Sequence, residues 1–121
     1  MGWLQGKHGD EDWGDIGPRE ADALVRGGAV LLDVREPAEW QAGHVAGAFH
    51  VPLGQLEGRL AAFPRDRRVV VICRSGNRSA RATALLVRSG FEAVNLNGGM
   101  RAWAAAGLPV ETEGAQPGTV V

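Results

Sequence analysis

An α/β architecture, a mostly parallel sheet with helices on both faces, is what this 121-residue sequence predicts. Three observations predict it. Strand-like and helix-like segments alternate along the whole chain. The segments AVLLDV (29–34) and VVVIC (69–73) are nearly unbroken apolar runs, as expected of strands buried on both sides in a parallel sheet. The length suffices for one domain with a core of its own, and the single cysteine, Cys73, excludes an intramolecular disulfide and a cysteine-based zinc site.

The elements follow in order. Residues 1–14 are polar and Gly-rich, with an acidic cluster at Asp10, Glu11 and Asp12, and are expected to be a flexible lead-in; Trp3 and Trp13 leave room for some packing. The ordered domain should begin near Asp15. Pro18 suits the first turn of a helix, where its missing N–H would be unpaired anyway, and Gly27–Gly28 should end that helix after Arg26. AVLLDV is the first strand. PAEWQAGH reads as a short helix stopping at Gly43, and AFHV (48–51) as a short strand ending at Pro52. In LGQLEGRLAAF, Leu53, Leu56, Leu60 and Phe63 recur at helical spacing. VVVIC is the strongest strand signal. A helix should run from Asn77 to Ser89, stopped by Gly90, followed by a strand AVNL (93–96), a turn at Gly98–Gly99 and a last short helix, MRAWAAA. The segment ETEGAQPGTVV (111–121) is expected to be a flexible tail.

Composition narrows the function. The formal net charge is -1, so no nucleic-acid or membrane partner is expected. No apolar stretch is long enough to span a bilayer. The first residues lack the layout of a signal peptide and, with Gly6 at the sixth position, the myristoylation pattern. A reducing cytoplasm is the expected compartment.

The chemistry gathers around CRSGNRS (73–79). A strand enters this loop and a helix leaves it, so the loop amides lie where helix N–H groups lack carbonyl partners. Gly76 and Asn77 adopt φ > 0 more readily than most residues, so successive amides can curl around one point as an anion nest. The helix dipole adds about 0.3–1 kcal/mol of favourable field for an anion there. A cysteine at the mouth of such a nest is expected to be a thiolate, the form that acts as nucleophile. The plainer alternative is a small apolar residue closing a buried strand. A nucleotide-binding P-loop is ruled out by the missing glycine–lysine pattern. A cysteine phosphatase loop carries five residues between cysteine and arginine, whereas four separate Cys73 from Arg78; the tighter ring favours a bound sulfur over a phosphate. Ligands in open α/β sheets bind beyond the carboxyl ends of the strands. That rule places Asp33 and Arg35, Cys73, and Asn97 to Gly99 along one edge.

At these residues the chain resembles a known family, the single-domain rhodaneses, which are sulfurtransferases. The resemblance covers residues 15–110 and rests on LLDVREPAEWQAGHVAGAFHVP (31–52), VVVICRSGNRSARAT (69–83) and NLNGGMRAW (95–103), in that order. It implies a rhodanese-like three-layer sandwich around a five-stranded sheet. It implies that Cys73 takes the outer sulfur of a donor as a persulfide. The loop Arg74, Ser75, Gly76, Asn77, Arg78 and Ser79 would hold that sulfur until an acceptor thiol, or cyanide, removes it, with no metal or organic cofactor. Two-domain thiosulfate enzymes carry a cationic residue where Ser75 stands and an arginine where Glu39 aligns, and both bind thiosulfate. Their replacement here points away from efficient thiosulfate use. Arg74 fits the thiosulfate-type loop rather than the mercaptopyruvate type, which has glycine first, so the natural donor, thiosulfate or a persulfide, stays open.

Roles are expected as follows. Arg78 faces the loop and steadies it, while Arg74 faces solvent and an anionic donor, or is simply an exposed charge. Asp33 and Arg35 form a supporting pair, and His44 pins its loop by a hydrogen bond. Trp40 and Trp103 anchor the core. No second cysteine can resolve a persulfide, so a shallow, open pocket and an external acceptor, small thiol or protein, are expected. Beside the enzyme stand two alternatives: a sulfur-carrier or docking module serving a partner protein, and a regulatory domain, in whose rhodanese relatives the cysteine is usually lost.

Overall fold

The computed structural model describes residues 15–121; the expected lead-in, 1–14, lies outside them. Five strands, β1 (Asp15–Ile16), β2 (Val30–Asp33), β3 (Phe49–His50), β4 (Val69–Ile72) and β5 (Ala93–Leu96), form one sheet in the order β1-β5-β4-β2-β3. Every pairing is parallel. The sheet is thus wholly parallel rather than mostly so, and β4, which leads to Cys73, is its central strand. The two-residue β1 carries too little pattern to read from the sequence; it is recognisable only by pairing Asp15 with Asn95 and Ile16 with Leu96.

Four helices, α1 (Pro18–Arg26), α2 (Pro37–Ala42), α3 (Leu53–Leu56) and α4 (Asn77–Arg88), lie between successive strands, and α5 (Gly99–Ala105) follows the last. The apolar stretch after Pro52 is not one helix: α3 gives way to a 3-10 helix at Glu57–Ala62. Strand side chains alternate between faces. Leu31, Val70, Ile72, Val94 and Leu96 therefore pack with Ala21 of α1 and with Met100 and Trp103 of α5. On the opposite face Leu32, Val69, Val71 and Ala93 pack with Leu56 of α3 and with Ala82 and Leu86 of α4. Cys73 continues the parity of Val69 and Val71, so its side chain lies on the α4 face.

Residues 111–121, read as a flexible tail, instead pack on the domain. Glu111 bridges antiparallel to His44 and to Pro117. Thr119 N–H donates to the Ala42 carbonyl at 2.8 Å, and Val120 packs against the α1/α5 core. Backbone partners presented by the 42–44 turn hold a segment whose composition shows little of its own order.

Among the described residues no helix is long and apolar enough to cross a membrane.

Candidate active site

Cys73 sits one residue beyond β4, under the first turn of α4, and is 1% exposed. Its sulfur is more enclosed than the open pocket expected from the sequence. Gly76 is the N-cap of α4, with φ +112°, a conformation that L side chains rarely adopt. This geometry aims the Gly76 N–H at Sγ, 3.1 Å away. Ser79, one turn into the helix, donates its hydroxyl to Sγ at 3.2 Å. Asn77, the other residue expected at φ > 0, is the first residue of α4, and Gly76 alone takes the left-handed position in this loop.

Burial, the largest single influence on the thiol, pushes its pKa up. The hydroxyl of Ser79 and the amides of Ser79, Gly76 and Ser75 push it down and prevail, so the thiol lies below its ordinary value. The sulfur is surrounded by donors matched to a negative charge.

Both arginines of the loop have partners. Arg78 makes a two-pronged pair with Glu39 of α2, Nη1 to Oε1 at 2.7 Å and Nη2 to Oε2 at 2.8 Å. Glu39 is itself set by the capping box of α2, where its Oε1 also accepts the Glu36 N–H at 2.9 Å. The Arg78 guanidinium, bonded directly to the carboxylate, is the main reason the Glu39 carboxyl is held down at about 2. Reciprocally, Glu39 raises the Arg78 pKa, and the Cys73 charge adds to that effect. Arg78, expected to face the loop, is thus tied to α2 through a partner 39 residues away that no local pattern announces. Arg74, expected to face a donor, is exposed but donates its Nε to the Val121 carbonyl at 2.8 Å. A groove of about 720 Å³ begins at Arg78 and Glu36 and follows α4 past Arg81 and Leu85.

The supporting residues lie apart from the sulfur. Asp33 has the parity of Leu31 and so lies on the α1/α5 face, away from Cys73. Arg35 Nη2 binds Asp33 Oδ2 at 2.9 Å and the Gly43 carbonyl at 2.7 Å, with both side chains enclosed. This pair fastens the end of β2 to the end of α2. His44 Nδ1 lies 2.7 Å from the Trp40 carbonyl, and its ring stacks on Trp40 at 3.7 Å. Trp103 is the core anchor expected. Trp40 is not: its ring is stacked between His44 and His50, and its Nε1 donates to Glu113 at 2.9 Å.

Three loop carbonyls are held from β5 and α5, which the sequence reading did not foresee. Met100 N–H donates to the Cys73 carbonyl at 2.7 Å and Arg101 N–H to that of Arg74 at 3.1 Å. The Asn95 side chain donates to the Gly76 carbonyl at 3.3 Å. Gly99 permits the approach: a Cβ there would stand 2.4 Å from the Cys73 carbonyl oxygen. The pair of glycines at the turn is the only trace of this in the sequence.

With the geometry in place, the likeness to known proteins is informative. A family model described as rhodanese-like domain matches residues 17–106. A sulfurtransferase of Allochromatium vinosum is 44% identical over 82 residues, covering 67% of this chain and 77% of that protein. The thiosulfate sulfurtransferase GlpE of Stutzerimonas stutzeri is 37% identical over 93 residues, covering 76% of this chain and 85% of its own. The crystal structure of a rhodanese-related protein from Thermoplasma volcanium superposes with a TM-score of 0.78 at 33% identity, covering 82% of this chain and 98% of the other.

Proposed function

This chain belongs to the rhodanese-like domain family and is a rhodanese-type sulfurtransferase, and from that premise we propose that it carries sulfane sulfur as a persulfide on Cys73. The observation supporting this reading is the enclosure of Sγ by N–H and O–H donors suited to a thiolate. In the first half-reaction the Cys73 thiolate attacks the outer sulfur of the donor. The new Cys73 S–S bond forms as the donor's bond breaks, and the leaving group departs with that bond's electron pair: sulfite from thiosulfate, a thiolate from a low-molecular persulfide. In the second, an acceptor thiolate takes the outer sulfur and Cys73 leaves again as thiolate; cyanide in that role gives thiocyanate. Oxidation states balance without any added oxidant or cofactor. Amides steady the anion at each stage, as preorganised donors do wherever charge develops.

The donor class follows from the charges. Arg78 is neutralised by Glu39, so of the two loop arginines only Arg74, whose partner is a carbonyl, is left to meet a dianion. A persulfide of low charge fits this site better than thiosulfate. The acceptor is an external thiol, small or borne by a protein. A thiolate of this kind must be kept reduced, which suits the cytoplasm.

Intact-mass spectrometry tests the reading. Incubation with a persulfide donor should add the mass of one sulfur atom, removed by excess thiol and absent in Cys73→Ser. An unaltered mass with every sulfane donor, at full native folding, would overturn it.

A further inference from the structure

Asn95 is the one polar residue of β5, and it is 5% exposed. An amide buried in an interior strand is costly unless its polar atoms are paired. Only half of it is: Nδ2 donates to the Gly76 carbonyl, whereas Oδ1 has no partner among the described residues. By burial alone a leucine would serve the sheet better. The placement explains the choice. Asn95 follows Ala93 in parity, so it lies on the α4 face, and it is in register with Val71, two residues before Cys73. It therefore stands directly beneath the sulfur loop.

Gly76 is held at both ends. Its N–H is directed at Sγ, and its carbonyl accepts from Asn95 on one side and from Ala80 N–H, the first bond of α4, on another. Glycine at φ +112° has a wide range of neighbouring conformations open to it. A bond on its carbonyl is what narrows that range. The same logic runs through the loop. In a trans peptide the carbonyl and the following N–H point in opposite directions. Anchoring the Arg74 carbonyl to Arg101 N–H turns the Ser75 N–H the other way, and Ser75 is one of the amides that lower the thiol. Of the three carbonyls that the β5–α5 corner holds, that of Arg74 turns an amide, Ser75, to the sulfur side, while the Asn95 tie acts on Gly76 itself by restraining its ψ. Two of the three ties are made by backbone N–H groups, independent of the side chains at 100 and 101; Asn95 supplies the third through its side chain.

We propose that Asn95 is a positioning residue for the sulfur cradle, fixing Gly76 so that its amide is aimed at Cys73 before any donor arrives. The proposal rests on Cys73 being the sulfur carrier, but its test does not depend on sulfur transfer. The test uses Asn95→Leu, which fills the site with apolar volume, and Asn95→Asp, which keeps the shape but sets a carboxylate against the Gly76 carbonyl. The readout is the titration of the Cys73 thiol, followed by thiolate absorbance and by the pH profile of alkylation with iodoacetamide, with thermal unfolding in parallel. In both variants the midpoint should move up and alkylation at neutral pH should slow by about three- to tenfold, because the Gly76 amide–sulfur bond is weakened rather than removed. Asn95→Leu should unfold at or above the wild-type temperature.

A folded Asn95→Leu protein with a wild-type thiol titration would overturn the proposal. If neither variant folds, the wild-type protein still decides it by NMR. The Asn95 side-chain amide protons should resist solvent exchange and shift with the Cys73 midpoint, and freely exchanging, unresponsive protons would refute the tie. A wild-type thiol that titrates low but never accepts sulfur would defeat the sulfur-carrier reading and leave this one standing.

Discussion

Replacing Glu39 by Gln removes the charge from the pair that ties α2 to the first turn of α4, while leaving an oxygen that can still accept from Arg78. The bond from the Arg78 guanidinium is the main influence holding the Glu39 carboxyl at about 2, against an ordinary 4.5. That difference of about 2.5 units corresponds to about 3.4 kcal/mol at roughly 1.36 kcal/mol per unit. The side chains of Arg78 and Glu39 remain 31% and 17% exposed, and solvent screening brings the expected contribution to about 1–2 kcal/mol. A depressed carboxyl stabilises the fold fully above its unfolded value, and that stabilisation is lost as pH falls from 4.5 towards 2. Thermal unfolding followed by circular dichroism should therefore show Glu39→Gln melting about 5–10 °C below wild type at pH 7. The gap should narrow as the pH is lowered and close near pH 2. A double-mutant cycle with Arg78→Met should return a coupling of about 1–2 kcal/mol. Parallel stability curves for the two proteins from pH 6 to 2.5, or a coupling near zero, would refute the assignment of the shift to this pair.

Removing the negative charge opposite Arg78 should also show in catalysis: Glu39→Gln should raise kcat/KM for thiosulfate relative to a neutral persulfide donor by about tenfold, since a cation no longer neutralised attracts a dianion, and an unchanged ratio would contradict the donor preference drawn from this pair. Ser79→Ala removes the hydroxyl that reaches Sγ; neutral-pH alkylation of Cys73 should slow by about tenfold, and an identical pH profile would show that the hydroxyl contributes nothing. Gly76→Ala places a side chain at φ +112°, at a cost of about 1–2 kcal/mol, so a modest loss of melting temperature should accompany a large loss of thiolate at pH 7, measured by absorbance. Removing residues 111–121 strips the bridge to His44 and the Val120 packing; melting should fall by several degrees and Trp40 fluorescence should change with the loss of Glu113, whereas a loose tail would leave both untouched.

Several features are legible in the sequence because their causes are local. The runs 29–34 and 69–73 announce buried strands, Pro18 and Gly27 bracket α1, and the order of strand, Cys73, glycine and helix places a thiol among amides. Each signal is complete within about ten residues, the range over which periodicity, caps and turns act. Tertiary structure decides the rest by bringing together residues whose sequence separation carries no signal. Glu39 finds Arg78 across 39 positions and Arg74 meets Val121 across 47. Strand parity sends Asp33 to one face of the sheet and Cys73 to the other, although both end neighbouring strands. The two residues of β1 and the segment 111–121 have too little pattern of their own and owe their order to partners elsewhere. The sequence by itself determined that the lone sulfur would sit at a corner between strand and helix. The folded chain determined which donors surround it, because hydrogen bonds and ion pairs are chosen by distance in space rather than along the backbone.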